Sequence, residues 1–148
     1  MIIKSYNPAN NELLGQIETT NVTDMSTMFF SCTALISLNL SNFNTSQVTD
    51  MSNMFRDCSK LISLNLSSFD TSQVTNMSYM FHNCSTLTSL DFNQATFEKV
   101  TSFDYMFGIK ANIYMVVKDD TARNWLQNRL NESGSFGTIV TVDEITSS

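Results

Sequence analysis

The sequence repeats itself with a period of 26. The clearest copy starts at Val48, and closely similar segments start one period earlier at Val22 and one period later at Val74. Self-similarity at a fixed short period is typical of repeat proteins, in which each unit packs against its two neighbours. Four columns of the repeat run without an insertion or deletion: Cys32, Cys58 and Cys84; Leu35, Leu61, Leu87 and Ile113; Leu38, Leu64, Leu90 and Val116; and Met28, Met54, Met80 and Met106.

The spacing of the apolar residues changes once within each unit. In the first half of the clearest copy they follow steps of three and four, which predicts a short helix or 3₁₀ segment with one buried face. These residues are Val48, Met51, Met54, Phe55 and Cys58. In the second half, Leu64 and Leu66 alternate with polar residues, which predicts a strand with one buried face.

The turns of the repeat have to form without glycine, because none of the chain's 4 glycines lies in residues 21–107. Asn, Asp and Ser side chains that bond to their own backbone are the usual alternative. We expect Asp24, Asp50, Asn76 and Ser102, which precede the predicted helical segments, to act as N-cap residues.

The pattern Leu61-x-x-Leu64-x-Leu66 is typical of a leucine-rich repeat, in which each unit adds one strand to a parallel sheet. Phe69 stands where many such repeats have Asn or Cys, so we expect a stack of aromatic rings inside the turn. The stretch from Phe69 to Leu90, with F-D-T-S-Q-V-T-N-M-S-Y-M-F followed by Cys84 and the leucines, resembles the repeat of the BspA-like surface leucine-rich-repeat proteins of bacteria. The resemblance covers residues 21–107.

We predict a single α/β domain over residues 1–148: a right-handed leucine-rich-repeat solenoid, with a short curved parallel sheet and short helices on the other face. Residues 1–20 are predicted to be an N-terminal cap with a partial repeat, residues 21–107 the repeat body, and residues 108–148 a C-terminal cap. The three parts share one uninterrupted period, which favours one domain.

Both caps can be outlined from the same period. Leu14 and Ile17 lie one period before Leu40 and Phe43, which predicts a first strand at about residues 11–15, with residues 1–6 as an extra strand turned back at Asn7-Pro8. At the C-terminal end we expect a strand around Ile113 and Val116, a helix from Asp119 or Asp120 to about Leu130, and a final parallel strand around Ile139 and Val142. Trp125 is expected to close the open end of the core. Ala95 replaces the phenylalanine of the turn in the fourth copy, where Phe97 could fill the space.

The charge of the chain argues against nucleic acid as a partner. The formal net charge is -6 and only 8 residues are Lys or Arg, which are scattered, whereas nucleic-acid binding depends on clustered basic residues.

No apolar run approaches the roughly 20 residues that span a bilayer, so we expect no direct membrane insertion. Residues 1–6 are too short for a signal peptide, which leaves two alternatives: a fragment of a longer surface protein, or an intracellular protein.

No residue pattern in the chain indicates catalysis, a cofactor or a metal. The Met and Phe columns could bind copper, but their spacing favours a buried core. Adjacent cysteines of one column could approach closely enough for one disulfide, but three is an odd number and no Cys-x-x-Cys pair occurs, so buried free thiols are favoured. His82 is the only histidine, and it lies at an outward position without a nucleophile column beside it. The sequons and the acidic pairs are explained by composition, capping and solvation.

The remaining candidate site is the exposed face of the predicted sheet. Strand alternation places small polar side chains side by side there, and the face ends in an apolar patch. The predicted members are Ser37, Asn39, Ser41, Ser63, Asn65, Ser67, Ser89, Asp91, Asn93, Met115 and Val117. These residues could also serve only to keep the face soluble, since binding hot spots are enriched in Trp, Tyr and Arg. Phe30, Arg56, Tyr79 and Tyr105 are predicted on the opposite, helical surface, where a partner could dock instead.

We therefore predict a monomeric, non-enzymatic protein-binding module. The resemblance implies a cell-surface or secreted protein that adheres to host extracellular matrix proteins or to neighbouring cells. The alternatives are a structural spacer of a larger surface protein and an intracellular, cytoplasmic interaction protein.

Overall fold

A computed structural model describes residues 2–6, 13–18, 22–108 and 112–147. Within these ranges the chain is an α/β protein with a four-stranded parallel sheet in the order β3-β4-β5-β6 and a separate antiparallel pair, β1 and β2. The elements are β1 (Ile2–Tyr6), β2 (Leu13–Glu18), β3 (Ser63–Asn65), β4 (Ser89–Phe92), β5 (Asn112–Val117), α1 (Asp120–Ser133), β6 (Phe136–Thr141) and α2 (Val142–Thr146).

The repeats are called unit 1 (residues 22–47), unit 2 (48–73), unit 3 (74–99) and unit 4 (100–117). Strands of units 2 and 3 are neighbours with the predicted offset of 26, because Leu64 pairs with Leu90 in the parallel β3–β4 ladder. In unit 1 the structure assigns no strand around Leu38. The Ile62 N–H nevertheless donates to the Ile36 C=O at 3.1 Å, so unit 1 lies beside unit 2.

The predicted register fails at the next strand. Leu90 pairs with Met115, one residue earlier than the period of 26 requires. The cause is local: Ile113 and Met115 are separated by one residue, whereas Leu87 and Leu90 are separated by two. Strand alternation then turns Ile113, Met115 and Val117 inward together, and all three are buried. The predictions that Val116 joins the leucine column and that Met115 and Val117 are exposed are therefore wrong.

The side of the units opposite the sheet contains no helix in residues 22–108. In unit 2 it is a run of overlapping turns, in which the N–H of Met54 bonds to the C=O of Met51 at 3.3 Å and the N–H of Cys58 to the C=O of Phe55 at 3.2 Å. Asn53 and Asp57 within this run have φ of 56° and 62°. Because left-handed residues interrupt a right-handed helix, the predicted helical segments are wrong.

The peptide groups between these turns point along the stack of units. The peptide joining Asp50 to Met51 accepts a hydrogen bond from the Met25 N–H at 2.9 Å and donates one to the Asn76 C=O at 2.9 Å. The peptide groups that follow Ser52 and Met54 form the same two hydrogen bonds, one to unit 1 and one to unit 3, at 2.9 to 3.0 Å. We call this bonded run the turn ladder; it comprises residues 24–31, 50–57, 76–83 and 102–107. An α-helix would use the same groups internally and leave none for the neighbouring units, so a helix and the turn ladder exclude each other.

Asn and Asp side chains open the turn ladder. The Oδ1 atoms of Asp24 and Asp50 each accept the backbone N–H two residues later, at 2.7 Å in both cases. Asn76 does the same at 3.0 Å. The expected self-bonding of side chains in glycine-free turns is thus confirmed, although these residues start a turn and not a helix.

Aromatic rings run through the core from unit to unit. The rings of Phe29, Phe55, Phe81 and Phe107 are stacked with successive centroid distances of 5.3, 5.8 and 5.6 Å. A second pair, Phe43 and Phe69, is stacked at 6.4 Å inside the turn that follows the strand, as predicted.

The C-terminal cap is close to its prediction. The helix α1 begins after Asp119, whose Oδ1 accepts the Ala122 N–H at 3.0 Å, and β6 pairs in parallel with β5. Trp125 is half-buried, and its ring stacks on the ring of Phe97 at a centroid distance of 4.5 Å. Phe97 therefore packs against the C-terminal helix. Ile139 is buried in β6 as expected, whereas Val142 is the first residue of α2 and not part of the strand.

The N-terminal prediction of two strands is confirmed by β1 and β2, but the prediction of a partial repeat is corrected. The second segment forms β2, which pairs antiparallel with β1 and does not join the parallel sheet. The predicted partial repeat therefore lacks its parallel strand. The predicted turn at Asn7-Pro8 and residues 11–12 lie outside the described residues.

Replacing the central ring of the stack tests how much it stabilises the fold. We expect Phe55→Ala to lower the free energy of unfolding by about 3–5 kcal/mol, because the fully buried side chain leaves a cavity. Phe29→Ala, at the partly exposed end of the same stack, should cost clearly less. Urea unfolding of both variants followed by circular dichroism measures the difference, and equal losses would contradict the assignment of Phe55 to the middle of the stack.

The carboxylates of the turns predict a sensitivity to acid. Hydrogen bonds from the Ser26 side chain and backbone lower the pKa of Asp24, and those from Ser72 lower the pKa of Asp70. The stability that these carboxylates contribute is fully present above the unfolded-state pKa of about 3.9 and is lost as the pH falls through the lower folded-state values. An Asp24→Asn, Asp70→Asn double variant keeps an acceptor that does not titrate. Its unfolding midpoint should therefore change less than that of the wild type between about pH 5 and pH 2; an identical pH dependence would contradict the prediction.

Candidate interaction surfaces

The structure places the central part of the predicted sheet face together. Ser63 pairs with Ser89 and Asn65 with Asp91 in the β3–β4 ladder, and these alternate residues lie on the face away from the core. Ser37, Asn39 and Ser41 of unit 1 are also exposed, while Ser67 and Asn93 are half-buried.

Three residues of this face already have a structural role. The Oδ1 atoms of Asn39, Asn65 and Asp91 accept the backbone N–H two residues further on at 3.0, 2.9 and 3.0 Å. These bonds turn the chain after each strand position. The presence of an amide or carboxylate in this column is therefore explained without a ligand.

The apolar end of the face is made by residues other than those predicted. Because of the register shift, Tyr114 follows Ser89 and Val116 follows Asp91 across the sheet. Tyr114 is 44% exposed, so the face does carry a residue type that is frequent in binding hot spots. The alternation of Ile113, Met115 and Val117 in the sequence was the signal that Tyr114 faces outward.

A second surface lies on the outside of the turn ladder. We call it the turn-side row; it consists of Phe30, Arg56, Tyr79, Tyr105 and His82. The Arg56 guanidinium carbon lies 5.8 Å from the ring centre of Phe30 and 5.0 Å from that of Tyr79. Tyr79 and Tyr105 are stacked at 5.3 Å, and His82 meets their rings edge-on at 5.6 and 6.2 Å. The row thus connects all four units in continuous contact.

Large parts of the turn-side row face solvent. Phe30 is 45% and Tyr105 64% exposed. Arg56 donates to Asn53 Oδ1 at 3.2 Å, and its Nε lies 3.5 Å from the Asp57 carboxylate. These contacts hold the guanidinium in place, which reduces the conformational entropy lost on binding a partner.

The cysteine column lies in the core beside the turn ladder. Cys58 Sγ donates to the Phe29 C=O at 3.1 Å and Cys84 Sγ to the Phe55 C=O at 3.0 Å. Burial raises the pKa of Cys58 to about 11 and that of Cys84 to about 12. All three cysteines are free thiols, and Cys32 is only half-buried. The prediction of buried free thiols is confirmed for Cys58 and Cys84.

The reactivity of the three thiols should follow their solvent exposure. At about pH 8, Ellman's reagent should modify Cys32 in the folded protein but leave Cys58 and Cys84 unmodified until the chain unfolds, because a buried neutral thiol is not nucleophilic. Cys32→Ser should remove the fast phase, which identifies the residue. Fast modification of two or three thiols in the native protein would contradict the burial of the column.

A cleft lies at the C-terminal end of the stack, between unit 4 and α1. It has a volume of about 290 Å³ and is bordered by Phe103, Tyr105, Arg129 and Glu132. The Arg129 guanidinium covers the Phe103 ring at 4.0 Å and is paired with Glu132. These contacts join α1 to unit 4.

Comparison with known protein families identifies a match over most of the chain. The protein family described as "Mycoplasma protein of unknown function, DUF285" matches residues 2–118. No curated protein and no solved structure matches. Neither of the two helices in the described ranges has the length and apolar character needed to cross a membrane.

Proposed function

The chain belongs to the family described as Mycoplasma protein of unknown function, DUF285, and we propose that it is a non-enzymatic protein-binding module of the bacterial cell surface. In this proposal it is a right-handed leucine-rich-repeat solenoid of the BspA-like kind. Its partner is a protein of the host extracellular matrix or of a neighbouring cell, which it binds as a monomer.

The bonds between units support the solenoid. Parallel bridges join Asp24 to Asp50, Asp50 to Asn76 and Asn76 to Ser102, each at an offset of one period. On the opposite side β3 and β4 keep the same offset. Two backbone ladders with one common period are what a stack of similar units produces.

The observation that carries the binding function is the turn-side row. It combines tyrosine, arginine and phenylalanine side chains, of which tyrosine and arginine are the types that dominate binding energy at protein interfaces. The row is also pre-arranged by its own ring and guanidinium contacts. The sheet face instead presents serines and an amide column that forms turns, with Tyr114 at one end.

The burial of two of the three thiols is compatible with an extracellular location, whereas Cys32 is only half-buried. An exposed thiol outside the cell is open to oxidation and mixed disulfides, and this susceptibility depends on ionisation and access. Cys58 and Cys84 are fully buried with raised pKa values. Their burial would keep them reduced without a disulfide framework.

Substitutions that copy other units test the turn-side row without disturbing the backbone. Tyr79 and Tyr105 have φ of 60° and 49°, and the same ladder position holds Asn53 in unit 2 and Thr27 in unit 1 with φ of 56° and 57°. Tyr79→Asn with Tyr105→Thr should therefore fold. We expect the double variant to bind at least about tenfold more weakly than the wild type, as for the loss of a hot spot.

The measurement is biolayer interferometry against immobilised collagen, fibronectin and laminin and against whole host cells. The matched control is Tyr114→Ser, which copies Ser89 at the neighbouring position of the sheet face and should bind like the wild type. Loss of binding in the control alone would move the site to the sheet face. A wild-type protein that binds none of these targets would favour the spacer role and contradict the adhesin proposal.

A further inference from the structure

The first unit of the stack is less buried on its N-terminal side than the units that follow it. Met28 is 38% exposed, whereas Met54 and Met80 at the same position of the next units are fully buried. Other core columns show the same difference in burial. Their members in unit 1 are only partly buried; these are Phe29, Cys32, Leu35, Leu38 and Phe43.

A row of backbone C=O groups borders this apolar face. In unit 2 the C=O groups of Asp50, Ser52 and Met54 accept N–H groups of unit 1 at 2.9 to 3.0 Å. The corresponding C=O groups of unit 1 accept no backbone N–H from the described ranges; they belong to Asp24, Ser26, Met28 and Phe30. Unit 1 thus presents an edge of carbonyl groups next to apolar side chains.

The described N-terminal residues do not complete this edge. Residues 3 and 5 lie one period before Phe29 and Ser31, where a preceding unit would supply its donors, but both belong to β1 and pair with β2. That antiparallel pair is separate from the parallel sheet. The repeat motif V-T-x-M-S-x-M-F is also missing from residues 1–20.

We propose that this face binds one further unit of the same length and repeat type, supplied by another polypeptide. The molecule shows the fit three times, because the same face of units 2, 3 and 4 is covered by the preceding unit. At each junction N–H groups of the preceding turn ladder donate at 2.8 to 3.0 Å, and its Phe ring stacks at 5.3 to 5.8 Å. A partner with the V-T-x-M-S-x-M-F motif offers both the donors and the apolar side chains.

The geometry does not favour a second copy of this chain as the occupant. Two copies that meet through their first units would set one carbonyl edge against the other, without donors. A head-to-tail contact would have to place backbone N–H groups of unit 4 against the carbonyl edge of unit 1. Trp125 and Arg129 of α1 already contact Phe103 on that side of unit 4. The occupant is therefore a repeat whose backbone N–H groups are not covered by such a cap.

The rate at which Cys32 is modified shows whether a unit is bound to this face. Its counterparts Cys58 and Cys84 are fully buried because a unit covers them. The probe is a synthetic peptide of residues 48–73 that carries Cys58→Ser, so that only the protein contributes thiols. We expect saturable 1:1 binding and a fall of at least about tenfold in the rate of Cys32 modification, toward that of a buried thiol.

Two variants make the binding test specific. Met28→Lys places a charge on the proposed face and should abolish peptide binding and protection of Cys32. Ile62→Lys, at an exposed position of unit 2 on the strand side, should leave both unchanged. A scrambled peptide should not bind. Equal binding by the two variants would overturn the proposal.

A covalent version covers the case in which the free peptide fails to fold. An additional copy of residues 22–47 inserted directly before Val22 should make the cysteine of the original unit 1 as unreactive as Cys58. If that cysteine stays reactive, the face does not accept a unit and the proposal is wrong. If only the inserted unit protects it and the peptide fails at every soluble concentration, docking by another polypeptide is overturned.

Other occupants give distinct results. Dimerisation of the wild type in analytical ultracentrifugation that Met28→Lys abolishes would identify a second copy as the occupant. Faster modification of Cys32 after deletion of residues 1–20 would identify the chain's own N-terminal segment. Either result would overturn the proposal of a separate repeat-containing partner.

Discussion

The fold depends on backbone hydrogen bonds that pass from unit to unit through the turn ladder. Every second peptide group in residues 50–57 donates to unit 3 and accepts from unit 1. Buried backbone groups that lack a partner are costly, so one unit alone would lose these bonds together with its core contacts. Stability therefore arises between units, and the regular offset of one period follows from the need to align each donor with an acceptor.

The sequence predicted the period, the parallel pairing of units 2 and 3 and the C-terminal helix, but not the turn ladder. Steps of three and four place Met51, Met54 and Phe55 on one side in a helix and also in a run of overlapping turns, so apolar spacing does not distinguish the two. Asn53 and Asp57 at the left-handed positions were a usable signal, because Asn and Asp are enriched there. Thr27 and Tyr79 lack this signal at the first of the two positions in the other units, whereas Asn83 keeps it at the second position in unit 3.

The candidate site was predictable in part for a similar reason. The sheet face was correct for units 2 and 3, whose strands keep the offset of one full period. It was wrong in unit 4, since the loss of one residue between two buried positions exchanges the inward and outward sides of a strand. Met115 and Val117 entered the core, and Tyr114 became exposed. The contacts of the turn-side row depend on ring orientations that no periodicity encodes.

Variation among the units indicates where recognition can differ while the backbone stays constant. The inward columns hardly change, because each residue has to fit the same neighbours. The outward ladder columns contain Thr27, Asn53, Tyr79 and Tyr105 in one case and Phe30, Arg56, His82 and Gly108 in the other. Small and large, charged and aromatic side chains occupy equivalent positions there, whereas the sheet face repeats serine and Asn or Asp. A repeat module can thus acquire a specific partner on the turn side without a change in its fold, which is why the turn-side row is the stronger candidate of the two surfaces.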